Sequence, residues 1–320
     1  MIGLISYLVF FTTVASILAI AVLGLNLQWG NTGLFNGGVV AFFGAGGYAT
    51  LILGGTPQAD HLGGFELAYP LALIGGMAAA GLLAWVVGAL TLRLRHDYLA
   101  IATFGVAVAF ETLMRNAEGL AGGAKGLRGF ERPLRAELGD GFTYNLVFLA
   151  LVLILLVAVL VFLNRLIRSP FGRMLRAIRE DEVAARSLGK SPARVRLTAF
   201  VTGSVIMGLA GGLYATFYAF ISPQDVLPIL TFQIWAMLIV GGAGNNAGAV
   251  LGTFIIWGGW TASGWALSRF APIEAQLYTG TVQFILIGLI IVGMLMWRPQ
   301  GLLPERLVVS QSGKPEPKTN

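Results

Sequence analysis

The chain has 320 residues, of which 56% are hydrophobic and only 11% are charged, and its mean hydropathy is +0.79. Soluble domains carry about 25% charged residues, so this composition excludes an ordinary soluble protein. The net charge of +6 does not indicate a nucleic-acid partner, because the basic residues flank apolar runs, and the lack of cysteine excludes disulfide and thiol chemistry.

The apolar runs in the first half of the chain are close to the roughly 20 residues that a membrane-spanning helix needs. The sequence predicts segments at residues 2–25, 34–53, 67–92, 98–114 and 144–163. The segment 34–53 is rich in glycine, and the sequence does not decide whether it crosses the bilayer fully. The side of the membrane on which the N-terminus lies is therefore undecided as well. The loop 54–66 contains Asp60 and His61 but no Lys or Arg, and the loop 115–143 has balanced charges, so we expect both outside.

A basic segment, residues 165–196, comes next and holds almost half of the chain's 21 Lys and Arg residues. The positive-inside bias places such a loop in the cytoplasm. After a turn at residues 169–172, apolar residues up to Leu188 recur near helical spacing, and Gly189 is placed to end a helix. The segment therefore predicts a short amphipathic helix outside the bilayer, with a free apolar face for a partner. A solvated loop that only sets topology is the alternative.

The second half is predicted to contain a span at residues 197–221, a short external turn at 222–228 and a last span at 277–297. The stretch 230–268 has no charge and is broken by glycines at 241–248, so it predicts two segments with room for a re-entrant turn. The predicted fold class is an all-α polytopic membrane protein with eight to ten transmembrane segments, Gly-rich breaks and a cytoplasmic C-terminus. Residues 1–310 form the predicted transmembrane domain, and we expect the polar tail 311–320 to be disordered.

Residue types that carry catalysis are sparse. The two histidines, His61 and His96, are predicted on opposite sides of the membrane, which argues against a metal site. The sequence has no Gly-rich phosphate loop followed by Lys and Ser or Thr, so we expect no cofactor in this chain and no ATP hydrolysis by it. Glu111 is the ionisable candidate within a predicted span, and Arg115 lies four residues later on the same helix face. An ion pair near the outer boundary is therefore favoured over a proton relay.

The two Gly-rich breaks, residues 26–33 and 241–248, carry uncharged amide side chains in or beside them. Amides beside an unwound backbone can line a path for a polar or zwitterionic solute. On this argument the sequence predicts a substrate path at Asn26, Gln28, Asn31, Asn36, Asn245 and Asn246. Gly208 and Gly212 form a small-xxx-small pair, which favours close helix packing instead. A short self-match between residues 44–50 and 210–216 hints at two related halves.

Five stretches, in order along the chain, resemble signatures of the LivM-type permeases of branched-chain amino acid ABC importers. They are residues 23–50, 97–103 followed by Glu111 and Arg115, 122–127, 172–185 with Gly189, and 297–302. The second stretch adds Thr103 and Glu111 to the predicted substrate path. The resemblance implies a multi-pass permease subunit in a bacterial inner membrane that imports branched-chain amino acids with energy from ATP.

The resemblance also implies the partners of such a subunit. They are a second related permease, two ABC ATPase subunits that hold ATP and Mg, and a periplasmic or extracellular solute-binding protein, all assembled at a lipid membrane. Permeases for urea, amides or other amino acids are similar, so these solutes stay alternatives. A stand-alone channel or facilitator for a small neutral solute is the alternative of another class, because the Gly-rich segments carry little charge.

By the same resemblance, the basic segment contains a coupling helix that docks in a groove of the ATPase. The residues implied for this contact are Arg176, Ile178, Arg179, Glu180, Asp181, Glu182, Val183, Ala184, Ala185 and Gly189. ABC permeases share a Glu-Ala-Ala-x-x-x-Gly pattern here. The two alanines and the glycine keep this spacing, but Val183 takes the position of the Glu and Glu182 is shifted by one. Which acidic residue contacts the ATPase is therefore open.

Overall fold

The computed structural model describes residues 2–57, 62–94, 96–128, 130, 132–133, 135, 139, 141–187, 189, 191–270, 272 and 278–305. Within these residues the structure consists of helices joined by turns, with one isolated antiparallel β-bridge between Leu127 and Ile221. The predicted all-α class is therefore confirmed. The predictions for Asp60, His61, Leu188 and the tail 311–320 lie outside the described residues.

Twelve α-helices are described along these ranges. They are α1 (Ile2–Gln28), α2 (Val39–Gly54), α3 (Tyr69–Thr91), α4 (His96–Asn116), α5 (Glu118–Ala121), α6 (Phe142–Arg168), α7 (Pro170–Glu180), α8 (Glu182–Ser187), α9 (Pro192–Tyr218), α10 (Pro228–Gly241), α11 (Asn246–Phe270) and α12 (Thr279–Trp297). Two 3₁₀ turns, Gly123–Lys125 and Pro223–Val226, lie in the connections.

Six of these helices are long and apolar enough to cross a membrane, namely α1, α3, α4, α6, α9 and α12. The shorter apolar helices α2 and α10 lie directly after and directly before the two Gly-rich breaks. The uncharged stretch after residue 228 forms two helices with a break between them, as the glycines predicted. The described residues therefore establish six candidate spans, and the predicted number of eight to ten full crossings stays a prediction.

Serine and proline punctuate the chain where the sequence indicated. Pro170 and Pro192 occupy the first turn of α7 and α9, and Ser169 and Ser191 are the residues at the N-caps. Proline is favoured there because the first amides of a helix have no intrahelical acceptor to lose. The predicted turn at residues 169–172 is wrong in its extent, because α7 begins at Pro170 and only Ser169 separates α6 from α7.

The core is a packed group formed by α1, α2, α3 and α9. Helices α2 and α9 cross at Gly46 and Gly208, where a Cβ atom on Gly46 would overlap the backbone of Gly208. Thr50 and Thr216 donate their hydroxyl protons to carbonyls four residues earlier on their own helices, at 2.7 and 2.8 Å. These polar groups are thus satisfied within the crossing. The packing role predicted for Gly208 is confirmed, and the two self-matching stretches lie on these two helices.

The outer helices show the opposite pattern. Within the described residues, helix α12 has only Gln283 and Ile287 buried, and most of its other apolar side chains are exposed. Helices α4 and α6 likewise expose broad apolar faces. Apolar faces of this extent suit hydrocarbon rather than water. The central helices pack through apolar side chains, and most of the buried amide side chains lie at or after the end of α1 and at the start of α11, where the candidate site lies.

Candidate functional site

Glu111 is buried in α4 with a partner. The side chain of Arg115 donates from Nε to Oε1 of Glu111 at 2.8 Å, and the residue Glu111 is only 8% exposed. The predicted ion pair between these two residues is confirmed. The carboxylate is thus paired on its own helix, as expected for an ion pair rather than for a proton relay.

The first group of predicted path residues forms an amide relay between three helices. The side chain of Asn26, at the end of α1, donates to Oδ1 of Asn246 at 2.8 Å and accepts from the backbone amide of Gly244 at 2.8 Å. Asn246 in turn donates to Oδ1 of Asn164 on α6 at 2.9 Å. The relay therefore joins the two Gly-rich breaks. Sequence reasoning missed Asn164, although an amide at the end of an apolar run was a usable signal.

A second group of amides holds the break after α1 against α9. Gln28 donates to the carbonyl of Phe200 at 2.7 Å and to the hydroxyl of Ser204 at 3.0 Å. Asn36 donates to Oε1 of Gln28 at 2.8 Å, and its carbonyl accepts from Nε1 of Trp235 at 2.9 Å. Backbone that is not helical at membrane depth needs such partners, because no water is present to supply them.

Two further predicted residues complete this enclosure. The hydroxyl of Thr103 accepts from the backbone amide of Gly37 at 2.9 Å. Asn31 donates to the carbonyl of Asn26 at 3.1 Å, whereas its buried Oδ1 has no partner among the described residues. The structure thus brings most of the predicted path residues together, where they bond to one another and to nearby backbone groups, apart from Oδ1 of Asn31. Their predicted role along a solute path stays a prediction.

An aromatic cluster, here defined as Trp29, Phe35 and Trp235, lies beside these amides. The rings of Phe35 and Trp235 stack with centroids 4.3 Å apart, and Trp29 meets both edge-on at 5.5 and 5.4 Å. Two of these rings come from the break after α1 and the third comes from α10. No local sequence signal identified the cluster, because its members meet only in the folded chain.

The basic segment differs from the predicted single helix. Helix α7 ends at Glu180, and the backbone of Asp181 is extended with φ −151° and ψ 103°. The carboxylate of Asp181 accepts from the amides of Val183 and Ala184 at 2.8 and 3.0 Å. Asp181 is therefore an N-cap that starts α8, which is why the single helix was wrong. Gly189, two residues after Ser187, has φ +73° and its amide donates to the carbonyl of Arg186 at 3.0 Å, which agrees with its predicted place at a helix end.

The predicted free apolar face needs a second correction. Leu175 is fully buried and Ile178 is only 1% exposed, so both belong to the core of the protein. Ala185 is buried as well, whereas Val183 is 72% exposed and Ala184 is exposed beside it. Periodicity identified the apolar residues correctly, but it could not tell which of them already have partners in this chain. The accessible apolar surface is centred on Val183.

The acidic residues of the segment have different surroundings. Glu182 accepts from Arg186 at 2.9 Å with one oxygen and from Arg196 at 2.7 Å with the other. The side chain of Glu180 is 73% exposed and lies 3.2 Å from a guanidinium nitrogen of Arg179. Glu182 therefore fastens α8 to α9, and Glu180 has the accessible carboxylate. Arg176 is half-buried on α7.

Arg179 connects the basic segment to the rest of the site. Its guanidinium donates to the carbonyl of Gly30 and forms an ion pair with Glu305 at 2.9 Å. The side-chain stem of Arg179 also lies against Gly33, where an added Cβ would meet its Cγ at 3.2 Å. We call Arg179, Gly30 and Glu305 the arginine clamp. Sequence reasoning named Arg179 but missed Glu305, which lies beyond the last span.

The segment that carries Glu305 is held on the second Gly-rich break. The amides of Leu302 and Leu303 donate to the carbonyls of Val240 and Gly241 at 2.9 and 3.0 Å. Gly244, with φ +85°, lies so close to Glu305 that a Cβ would contact its carboxylate carbon at 2.9 Å. The predicted path residue Asn245 donates to the carbonyl of Pro304 at 3.2 Å. The arginine clamp therefore touches both breaks.

Apolar outer helices, an enclosed polar network at the helix breaks and an exposed helical segment beyond them define a multi-pass membrane transport protein. The chain belongs to the family described as branched-chain amino acid transport system permease components, whose model matches residues 7–295. The family recognised from the five sequence stretches is thereby confirmed.

Individual relatives agree with this assignment. The chain is 33% identical over 313 residues to the high-affinity branched-chain amino acid transport permease LivM of Escherichia coli, covering 91% of this chain and 69% of the relative. It is 26% identical to a probable LivM permease of Methanocaldococcus jannaschii, with 90% of each chain covered. A probable LivH permease of the same archaeon is 30% identical over 95 residues, which are 28% of each chain. No solved structure matches the chain.

Proposed function

We propose that this chain is the membrane-spanning permease subunit of an ATP-driven importer for leucine, isoleucine and valine or a closely related small polar solute. The family and the names of the LivM relatives support the solute class. The observation that carries the mechanism is the exposed α7–α8 segment, which is joined to both Gly-rich breaks by the arginine clamp. In this proposal the chain provides the path, and ATP hydrolysis takes place in partner subunits.

The proposed partners are a second related permease, two ABC ATPase subunits and a solute-binding protein. A similarity to a LivH permease as well as to LivM supports a partner permease of related sequence. The broad apolar faces of α4, α6 and α12 provide surface for lipid and for such a partner. The solute-binding protein delivers its cargo on the side opposite the basic segment.

The proposed orientation has the basic segment and the C-terminus in the cytoplasm. The density of Lys and Arg in residues 165–196 supports this side through the positive-inside bias. The ion pair between Arg179 and Glu305 supports a common side for the segment and the last described residues, because their charged groups lie 2.9 Å apart. The end of the molecule that carries Arg179 and Glu305 therefore faces the ATPase.

The proposed docking surface consists of Glu180, Val183 and Ala184. Val183 is 72% exposed, and it occupies the place where the family pattern has a glutamate. Glu182 is held between two arginines and is less available to a partner. Glu180 therefore supplies the acidic contact in this chain. An exposed apolar residue beside an accessible carboxylate fits a helix-in-groove contact.

The proposed transmission runs from this surface through the arginine clamp. When the ATPase moves α7, Arg179 moves with it, and its two hydrogen-bonded partners lie in or against the two breaks. Gly30 directly follows Trp29 of the aromatic cluster, and Gly244 directly precedes the amide pair at residues 245–246. A movement of α7 therefore reaches the aromatic rings and the amide side chains around the two breaks. Alternating access requires that such an element can adopt two alternative packed arrangements.

The test begins with mild-detergent purification of the tagged chain from its own host, followed by mass spectrometry of the proteins that accompany it. We expect two ATPase polypeptides or a homodimer of one, together with a second permease. The assembled complex in liposomes with its binding protein should then take up leucine only when ATP is supplied inside. Uptake of urea in preference to leucine would show that urea is the solute. Flux of solute through the chain alone, without ATP, would show that the protein is a facilitator.

A further inference from the structure

A basic groove lies at the end of the molecule that carries the α7–α8 segment. It has a volume of about 520 Å³ and is formed by the C-terminal end of α3, the following turn, α8 and the first turns of α9. Its charged lining residues are Arg93, Glu182, Arg186, Arg194 and Arg196. Four arginines against one glutamate give the groove an excess of positive charge. The proposed permease mechanism does not use this groove.

The described residues neutralise these four arginines only in part. Glu182 is shared between Arg186 and Arg196, and Arg93 and Arg194 form no ion pair within the part of the chain that the structure describes. Arg196 is already engaged by Glu182, and its side chain is only 12% exposed. An anion from outside the chain would therefore meet Arg93 and Arg194, which are exposed and lack an acidic partner among the described residues.

The walls of the groove indicate what kind of acceptor fits. Leu92, Leu94 and Leu197 line it beside the arginines. The apolar lining continues onto the outer face of α3, where Leu90 and Val86 are strongly exposed. Because α3 is a candidate span, this face runs from the groove along the hydrocarbon of a bilayer. A ligand with an anionic head and a long apolar chain matches both parts of the surface.

We propose that this groove binds the phosphate-bearing headgroup of an anionic membrane phospholipid, with an acyl chain lying along α3. Arginine is suited to this ligand, because its planar fork can form two hydrogen bonds with one phosphate. Basic pockets between membrane helices recognise phospholipid headgroups by the same chemistry. Arg93 and Arg194 provide the free charge for this contact.

The experiment compares two double variants of the full chain, purified with its partners in detergent. Arg93→Gln with Arg194→Gln removes the two unpaired groove charges, and both side chains are exposed, so folding should not change. Arg165→Gln with Arg173→Gln removes the same charge from exposed positions outside the groove. Native mass spectrometry measures the binding of phosphatidylglycerol and of phosphatidylcholine to each protein, and thermal unfolding checks integrity.

We expect the groove variant to bind phosphatidylglycerol roughly tenfold more weakly than the unchanged protein, since each arginine near a membrane surface contributes measurably to anionic lipid binding. The control variant and phosphatidylcholine should show little change. An equal loss in both variants would overturn the proposal in favour of general surface charge. Displacement of the lipid by millimolar inorganic phosphate would overturn it in favour of a soluble anion. Loss of the ATPase with unchanged lipid binding would overturn it in favour of a protein contact.

Discussion

The crossing of α2 with α9 and the region around the two breaks are built on opposite principles. At the crossing, glycines bring the backbones together and each hydroxyl bonds within its own helix. At the breaks, side chains from distant parts of the chain bond to one another, as Asn26 does with Asn246. The crossing is stabilised by close packing, which fits only one arrangement of the two helices. The breaks are stabilised by hydrogen bonds between polar groups, and such groups can change partners.

This difference separates a scaffold from a moving part. A close-packed crossing loses stability when any atom is added, because there is no space for relaxation. A polar network can rearrange if each group finds a new partner, as transport with alternating access requires. The arginine clamp lies at the breaks and not at the crossing, so movement of the basic segment acts on the exchangeable part. Three variants test whether the two regions behave in this way, and a fourth tests the docking surface.

The largest effect is expected from Gly46→Ala at the crossing. The added Cβ would overlap the backbone of Gly208, and neither helix can move away without disrupting the core. Overpacking of this kind costs about 3 kcal/mol or more, so folded protein should not accumulate in the membrane. The matched control is Gly105→Ala on α4, where an added Cβ meets nothing within 4 Å and should stabilise slightly. Equal yields of folded protein, measured by fluorescence-detected size exclusion, would contradict the scaffold role.

The second variant, Arg179→Gln, removes the arginine clamp. We expect ATP-driven uptake to fall about tenfold, which is the size of an ordinary coupling free energy, while the ATPase still co-purifies. Arg173→Gln is the control, because it removes an exposed arginine from the same helix. Glu305→Gln should give the same loss as Arg179→Gln, and the double variant should lose no more than either one. Additive losses would show that the two residues act separately.

The third variant, Asn26→Ala, breaks the amide relay. It leaves the amide of Gly244 and the side chain of Asn246 without their partner in a buried site. The free energy of unfolding should fall by about 1–3 kcal/mol, measured by thermal or denaturant unfolding in detergent. Asn116→Ala is the matched control, because this exposed amide bonds to the carbonyl of Thr112 on its own helix at 2.7 Å. A similar change in both variants would contradict a specific role for the relay.

Local signals in the sequence predicted the elements well and predicted their contacts poorly. Serine, proline and glycine marked the starts of α7 and α9 and the break before α11, because these residues act on the backbone at their own positions. Polar amides beside glycine marked most of the buried network. The cap at Asp181 has a local signal too, since aspartate favours helix starts. The spacing of the apolar residues on both sides of it, however, favours one continuous helix.

Contacts between distant residues had no such signal. Glu305 pairs with Arg179, and Asn164 pairs with Asn246, only because the fold brings different helices to one place. The burial of Ile178 has the same cause, because amphipathic spacing describes a face and not what covers it. The sequence therefore indicated where the candidate site lies, and the structure was needed to show which of its residues are already engaged.

The smallest effect is expected from Val183→Ala on the docking surface. Because Val183 is 72% exposed, its truncation should leave thermal stability unchanged, while recovery of the ATPase in pull-downs falls about fivefold. Val157→Ala on the outer face of α6 removes the same atoms far from the basic segment and should leave recovery unchanged. Ile178→Ala should do the reverse, lowering stability by about 2–5 kcal/mol through a core cavity. If Ile178→Ala lost the ATPase at full stability instead, the docking surface would lie on the face of α7 that the structure buries.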